Sequence, residues 1–551
     1  MEKKSLIAIV LIAALWVAYF IVFKPESPVK KPVEKKSDAI QKEGGAIRKE
    51  QASVRIEAIS AGGAEKQISV KTKKFSVTLS NKGAVITGCK YLERNIELVV
   101  KKNSFNASGV LNFGVHFDDD EFINGNSLDT ALWTHRQEGG RLTFYTDIQI
   151  NGVPVRIEKI YLFPDDGYGF RVEYRFKNYG MRTISFKDSA AIVSPGDILG
   201  PSLDYNNTYN RLMSVYSING SFKKADKGGG GFLLGCGSSS NGDPLKKETG
   251  SITWAGIMSR YFLVIMIPQE AVGKGVVHDN RKQAGFRTGL YVSMENLEPG
   301  KEIKKSFKVY LGEKDKKKLT SVDASIIDAA DVNRLIEPIR NFVIWCLLTV
   351  NRLVGNLGWA LVLFSLLTKV VFMPLTIKST ESMKKMQQLT PKLNEIKAKY
   401  KDKPDIIQKE MMKLYRENKV NPMGGCFPLL LQMPFFFALY SALIDSIDLW
   451  RAPFIFWMKD LSMPDTVATV MGYNLNILPI IMTASTFLQQ KLSTVDTGGQ
   501  QKMLMMMMPV MFIFIFWSMP SGLVLYWALQ NLFQIIHQLF INYRSKKEKA
   551  G

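Results

Sequence analysis

Residues 361–376 read LVLFSLLTKVVFMPLT, an apolar run broken by Lys369. An ammonium at the centre of a bilayer costs roughly 2.5–3.5 kcal/mol on insertion scales. A span that keeps such a charge implies water or a partner for it. The run belongs to a segment of about 20 residues, 358–377, long enough to cross a hydrocarbon core.

Outward from this segment, long apolar runs fill residues 1–23 and about 342–541, with a polar, turn-rich region between them. The first 23 residues have a basic start and no small-residue cleavage site, which reads as an uncleaved signal anchor. Residues 24–65, rich in Lys, Glu, Pro and Gly, read as a flexible tether. The remaining spans are expected at 427–445, 474–490, 503–519 and 523–541, making six with the anchor. The formal net charge is +22, and lysines concentrate beside the apolar runs. The 378–420 connection holds twelve Lys/Arg against six Asp/Glu, whereas 446–473 holds only Arg451 and Lys459 as basic residues. Positive residues stay inside, so both termini are expected in the cytoplasm and the large insert outside. The tail 542–551 is basic and falls inside by the same rule.

Residues 66–321 carry a β pattern. LTFYTDIQI (142–150) and VPVRIEKIYLF (153–163) flank Asn151-Gly152, the strongest two-residue hairpin signal. Many such strands without intervening helices imply an antiparallel sandwich. The glycines at 228–231 mark a loop, because no GK[ST] follows. From 322 to 357 the pattern becomes amphipathic and predicts a helix lying in the outer interface. Cys89 and Cys236 fall in the insert, where a disulfide between them is open; no Cys/His spacing suggests zinc. The four histidines, His116, His135, His278 and His537, form no catalytic or metal motif. HFDDDEF (116–122) reads as a solvated acidic loop. No catalytic residue, cofactor or metal is expected, and the chain is not expected to be an enzyme.

The cytoplasmic connection is patterned. Met383, Met386, Leu389, Leu393, Ile396 and Tyr400 recur at helical spacing, and Pro404 opens a second helix with Ile407, Met411, Leu414 and Tyr415 on its apolar side. The two form an antiparallel hairpin. Met383, Met386, Met411 and Met412 are candidates for an adaptable contact surface, against the plainer reading that the faces bury one another.

Four spans offer a polar group at one depth. At 1.5 Å per residue, Lys369 lies about 14 Å from the inner face, Gln432 and Thr483 about 12 Å, and Gln534 about 15 Å. Ser365 sits one turn from Lys369 on the same face. Such a layer reads either as helix–helix glue or as a wet cavity that hydrates the ammonium and attracts acidic residues of a substrate. An ion-coupled transporter is the chief rival class, since an intramembrane charge also fits a solute path; no internal repeat supports it. A carbohydrate-active enzyme built on the β-region would need a carboxylate pair, and none is assignable.

GNLGWALVLFSLLTKVVFMPLT (355–376), NPMGGCFPLLLQMPFFFALY (421–440), PSGLVLYWALQNLFQIIHQ (520–538) and WAGIMSRYFLVIMIP (254–268) resemble the YidC family of membrane protein insertases, in its Gram-negative form. The resemblance implies an α-helical polytopic protein of the inner membrane. It implies a five-span core, 358–541, around a hydrophilic groove open to lipid and cytoplasm, plus a large all-β periplasmic sandwich of the sugar-mutarotase type. It implies insertion and folding of nascent membrane proteins in the lipid bilayer, alone or with the Sec translocon, and delivery by ribosome or signal recognition components. The groove would comprise Lys369, Ser365, Gln432, Thr483, Gln534, Tyr526 and Trp527. The family's groove has arginine where this chain has Lys369, which removes bidentate recognition. Its paired tyrosines in the last span are Tyr526 and Trp527 here.

Overall fold

The structure is a computed structural model that describes residues 56–59, 62–99, 112–186, 190–193, 213–225, 245–269, 275–279, 287–330, 335–400, 403–418, 420, 427–470, 473–493 and 499–550. The signal anchor, Cys236, Cys426 and the glycine loop lie outside the described residues. The chain divides into two compact units. One contains the described parts of 371–431 and 490–507, and the other those of 53–370, 432–489 and 508–551.

Among the described residues the larger unit begins with antiparallel sheets of ten, five and four strands. Their common core takes Val77 and Cys89 from the four-stranded sheet, Leu290 and Val292 from the five-stranded one, and Ile148 and Phe176 from the ten-stranded one. The Asn151-Gly152 reading holds residue by residue. Arg141–Ile150 pairs with Val153–Leu162 in a register that sets Ile150 against Val153. Asn151 and Gly152 have φ 51° and 76°, the left-handed pair that matches strand twist. Ile56–Ile59, inside the stretch read as tether, also joins this sheet, opposite Asp147–Ile150.

Two local readings change, and one that was open closes. HFDDDEF is a helix start rather than a loop. Asp118 accepts from the Glu121 amide at 2.8 Å and caps α1 (Asp119–Asn124), while three acids in the first turn suit the positive helix end. His116 turns inward, fully buried, 3.0 Å from Asp129. Cys89 is a free, buried thiol. The amphipathic stretch from 322 is not one helix. After α2 (Ser127–Thr130) and α3 (Lys316–Val322) comes a 3-10 turn, Ala324–Ala330, and then α4 (Glu337–Val354). The Trp254 indole donates to Ser325 O at 3.0 Å, and Ile326 and Ala329 pack beside it. Docking on the β-region therefore overrides the helical pattern there.

Gly355 at φ 70° ends α4, and the Asn356 side chain accepts from the Gly358 amide to start α5 (Leu357–Gln388). This helix carries the opening stretch. Among the described residues it is the one helix that passes as a candidate span by length and composition, over Leu357–Ser382. It continues beyond the predicted span end at 377. The ranges expected at 427–445, 474–490, 503–519 and 523–541 overlap helices α8 (Phe427–Asp445), α9 (Leu478–Ser493), α10 (Gly499–Phe516) and α11 (Ser521–Ala550). The residues just before α9 are not helical: Tyr473–Asn476 pairs with Thr466–Val470 as a small ribbon.

In the smaller unit, α6 (Thr390–Lys399) and α7 (Pro404–Glu417) form the hairpin. Leu389, Leu393, Tyr415 and Val420 are buried between them, and Met386, Met411 and Leu414 pack on that cluster. Met386 and Met411 thus serve the hairpin's own core. Met412 is exposed, and the Met383 side chain lies outside the described set.

Candidate functional site

Helix α5 is inverted relative to a helix in water. Its buried face holds Ala360, Leu361 and Phe364 together with the polar Ser365 and Thr368, with Lys369 half-buried beside them; its exposed face holds Leu363, Leu366, Leu367 and Val370. Polar groups inward and apolar groups outward is the arrangement that hydrocarbon selects. The hydroxyls on this face are satisfied locally, Ser365 Oγ by Leu361 O at 2.7 Å and Thr368 Oγ1 by Ser365 O at 2.9 Å.

α11 faces this surface with Tyr526, Gln530 and Gln534, spaced i, i+4, i+8 along one side. Lys369 Nζ donates to Gln534 Oε1 at 2.6 Å. Gln530 Nε2 donates to Ser365 O at 2.9 Å and to Thr368 Oγ1 at 3.1 Å. Gln432, on α8, donates to the Tyr526 hydroxyl at 2.8 Å. Asn531 reaches α9, donating to Ser485 Oγ at 3.1 Å and Thr486 Oγ1 at 2.7 Å. Among the described residues the result is a seam of neutral amides and hydroxyls joining four helices, with one cation, Lys369, in it. Among the described residues no carboxylate pairs with Lys369.

Of the residues selected from sequence, Lys369, Gln534, Gln432, Tyr526 and Ser365 take part in this seam. Thr483 and Trp527 do not. The Thr483 hydroxyl and the Trp527 indole N–H are buried without a hydrogen bond among the described residues. α9 makes its link through Ser485 and Thr486 instead. The Trp527 ring packs on Phe436, Phe512 and Phe516 with centroids 5.3, 5.8 and 5.6 Å away. Thr368, Gln530 and Asn531 were missed. The i+4 ladder from Tyr526 is the signal that finds Gln530.

Two family models match the chain: the 60Kd inner membrane protein over residues 349–549 and the YidC periplasmic domain over 67–335. The membrane protein insertase YidC of Pelobacter propionicus is 30% identical over 559 residues, covering 98% of this chain and 99% of its own length. The chain belongs to the YidC family of membrane protein insertases. The YidC of Leptospira interrogans serovar Lai is 34% identical over 442 residues, 70% of each chain. A crystal structure of an active YidC insertase with its first transmembrane domain resolved overlays with a TM-score of 0.35 at 18% identity, covering 88% of this chain and 94% of the other. A galactose mutarotase-like protein from Lactobacillus casei gives 0.31 at 13% identity, covering 45% of this chain and all of the other. As a YidC-family protein the chain is an inner-membrane protein whose β-rich region is the periplasmic domain. The polar seam falls in the part matched by the 60Kd model.

Proposed function

We propose that this chain inserts nascent membrane proteins through a groove at the polar seam, and that Lys369 is the groove's fixed positive charge. The observation that carries this reading is the state of Lys369: half-buried on the polar face of a largely apolar run of α5, and hydrogen-bonded to the neutral amide of Gln534. A buried lysine paired with a carboxylate has its charge neutralised by that partner. One held by an amide keeps its net charge for a partner that arrives, here the acidic residues of a translocating tail. The neutral amides and hydroxyls of Gln432, Gln530, Asn531 and Tyr526 accept a polar segment without selecting its sequence. That suits a catalyst of transfer with many substrates.

In this reading six spans place both termini in the cytoplasm, with the anchor at 1–23, the periplasmic domain at 66–321 and the core at 358–541. The hairpin 378–420 receives substrates from the ribosome or signal recognition components, and the core also works beside the Sec translocon. The full-length protein reconstituted in liposomes tests the proposal. A small substrate protein is expected to become protease-protected without solute flux. Flux without protection makes the chain a transporter.

A further inference from the structure

Arg260 lies in the periplasmic domain, yet the residue is 6% exposed and its guanidinium bonds to the helical core. Nε donates to Ile444 O at 2.6 Å, and Nη2 to Leu443 O at 3.3 Å and Ser462 O at 2.8 Å. Nη1 lies 3.2 Å from the Met463 sulfur. Leu443 and Ile444 form the last turn of α8, which carries no basic residue of its own and ends on Asp445, the wrong sign for a helix C-terminus. Arg260 supplies the missing cation from 184 residues away, and Lys314 Nζ stands 4.0 Å from Asp445.

The same guanidinium fixes the start of α11. Ser462 and Met463 belong to the turn that caps it: Ser521 N donates to Met463 O at 2.6 Å, Gly522 N to Leu461 O at 2.9 Å, and Ser521 Oγ to Asp460 O at 3.1 Å. These bonds take up amides that a helix N-terminus leaves without partners. α8 and α11 are in close contact here, since a Cβ on Gly522 would stand 3.1 Å from the Leu443 side chain. Around this point Trp450 packs on Tyr261 with centroids 5.3 Å apart, Tyr261 Oη meets Ser462 Oγ at 3.3 Å, and Arg94 bridges Glu313 and Asp448.

We propose that Arg260 is a positioning residue for insertion. It ties the outer end of α8 to the outer end of α11, and so sets the register in which Gln432 of α8 meets Tyr526 of α11. The proposal rests on the insertase reading. A planar fork with several acceptors is a geometric device that a lysine cannot copy.

The test uses the full chain in liposomes with wild type, Arg260→Ala and Arg260→Lys, each also carrying Leu443→Cys with Gly522→Cys. Arg260→Ala is expected to slow insertion about threefold, as a small misplacement of positioned groups does, and Arg260→Lys to recover part of that loss. Oxidising the cysteine pair is expected to restore Arg260→Ala to within about twofold of wild type by refixing the two helix ends, and reduction to abolish the rescue. Insertion by Arg260→Ala equal to wild type overturns the proposal. So does a formed disulfide that rescues nothing. If Arg260→Ala does not accumulate, the same two readouts on Arg260→Lys decide. Wild-type protein that protects no substrate overturns the insertase reading instead.

Discussion

At Lys369 the proposed role and the stability of the fold are expected to respond differently to substitution. Removing it deletes a costly desolvated charge and one hydrogen bond to Gln534, so Lys369→Ala is expected to leave the melting temperature unchanged or raised while insertion of polar tails falls. Lys369→Arg keeps the charge and is expected to retain activity. Lys369→Glu is expected to lower insertion of an acidic-tailed substrate about tenfold, or ~1.4 kcal/mol, and to spare a neutral-tailed one. Both readouts belong on the same variants, and equal insertion of both substrates by wild type and Lys369→Glu removes the charge from the mechanism. Lys159 is a different buried lysine, 2% exposed in the periplasmic domain. Its Nζ donates to Gly83 O and Ala84 O at 3.0 and 3.1 Å, and burial lowers its pKa to about 7. The unfolded chain then binds more protons than the folded one between about pH 7 and the ordinary lysine value of 10.5. Stability of this domain is therefore expected to rise with pH across that window, by up to ~1.4 kcal/mol per unit, and the lysine's contribution to be flat below it. Thermal melts of wild type and Lys159→Met at several pH values check this; parallel profiles refute it. The seam was legible where a polar side chain interrupts an apolar run, as with Lys369, Gln432 and Gln534. Counting one group per span hid Gln530 and Asn531, which share a helix with Gln534. Depth alone chose Thr483 over Thr486, because depth says nothing about which side of a helix faces a neighbour.

Among the elements, those specified by local chemistry were readable. Asn151-Gly152 fixes its hairpin by backbone sign, and Pro404 opens α7. Those specified by distant contacts were not, as with the 3-10 turn at Ala324–Ala330 held by Trp254 and the strand Tyr473–Asn476 where a span was expected to begin. The hairpin shows both. Its periodicity was plain, but the periodicity does not tell an open methionine face from a packed one. Met386 and Met411 pack inward, and Met412 is exposed. The hairpin grows from a continuous α5, so deleting 389–420 preserves the helix that carries Lys369. That deletion is expected to weaken substrate cross-linking to position 369. Unchanged cross-linking with failed insertion would place the hairpin after substrate capture.

Across the whole molecule, the periplasmic domain meets the core of its own unit through Arg260, Arg94, Lys314 and Trp450, while the seam is built from α5, α8, α9 and α11 alone. Deleting residues 70–300 is expected to leave insertion working at the level of Arg260→Ala, because that deletion removes the clamp and touches no seam residue. Complete loss at normal protein abundance would give the domain a larger part. Prolines add a mechanical property. Pro374, Pro434 and Pro509 stand inside α5, α8 and α10, where each removes the backbone rung to Val370, Leu430 and Met505 respectively. Within described helices the chain passes between its two compact units at 370/371, 431/432, 489/490 and 507/508, and all but the crossing in α9 lie within a few residues of one of these prolines. A helix lacking a rung bends there at lower cost than along the rest of its length. Compliance is thus written into the backbone at those three crossings, and two of them, at Pro374 and Pro434, lie beside the seam residues Lys369 and Gln432.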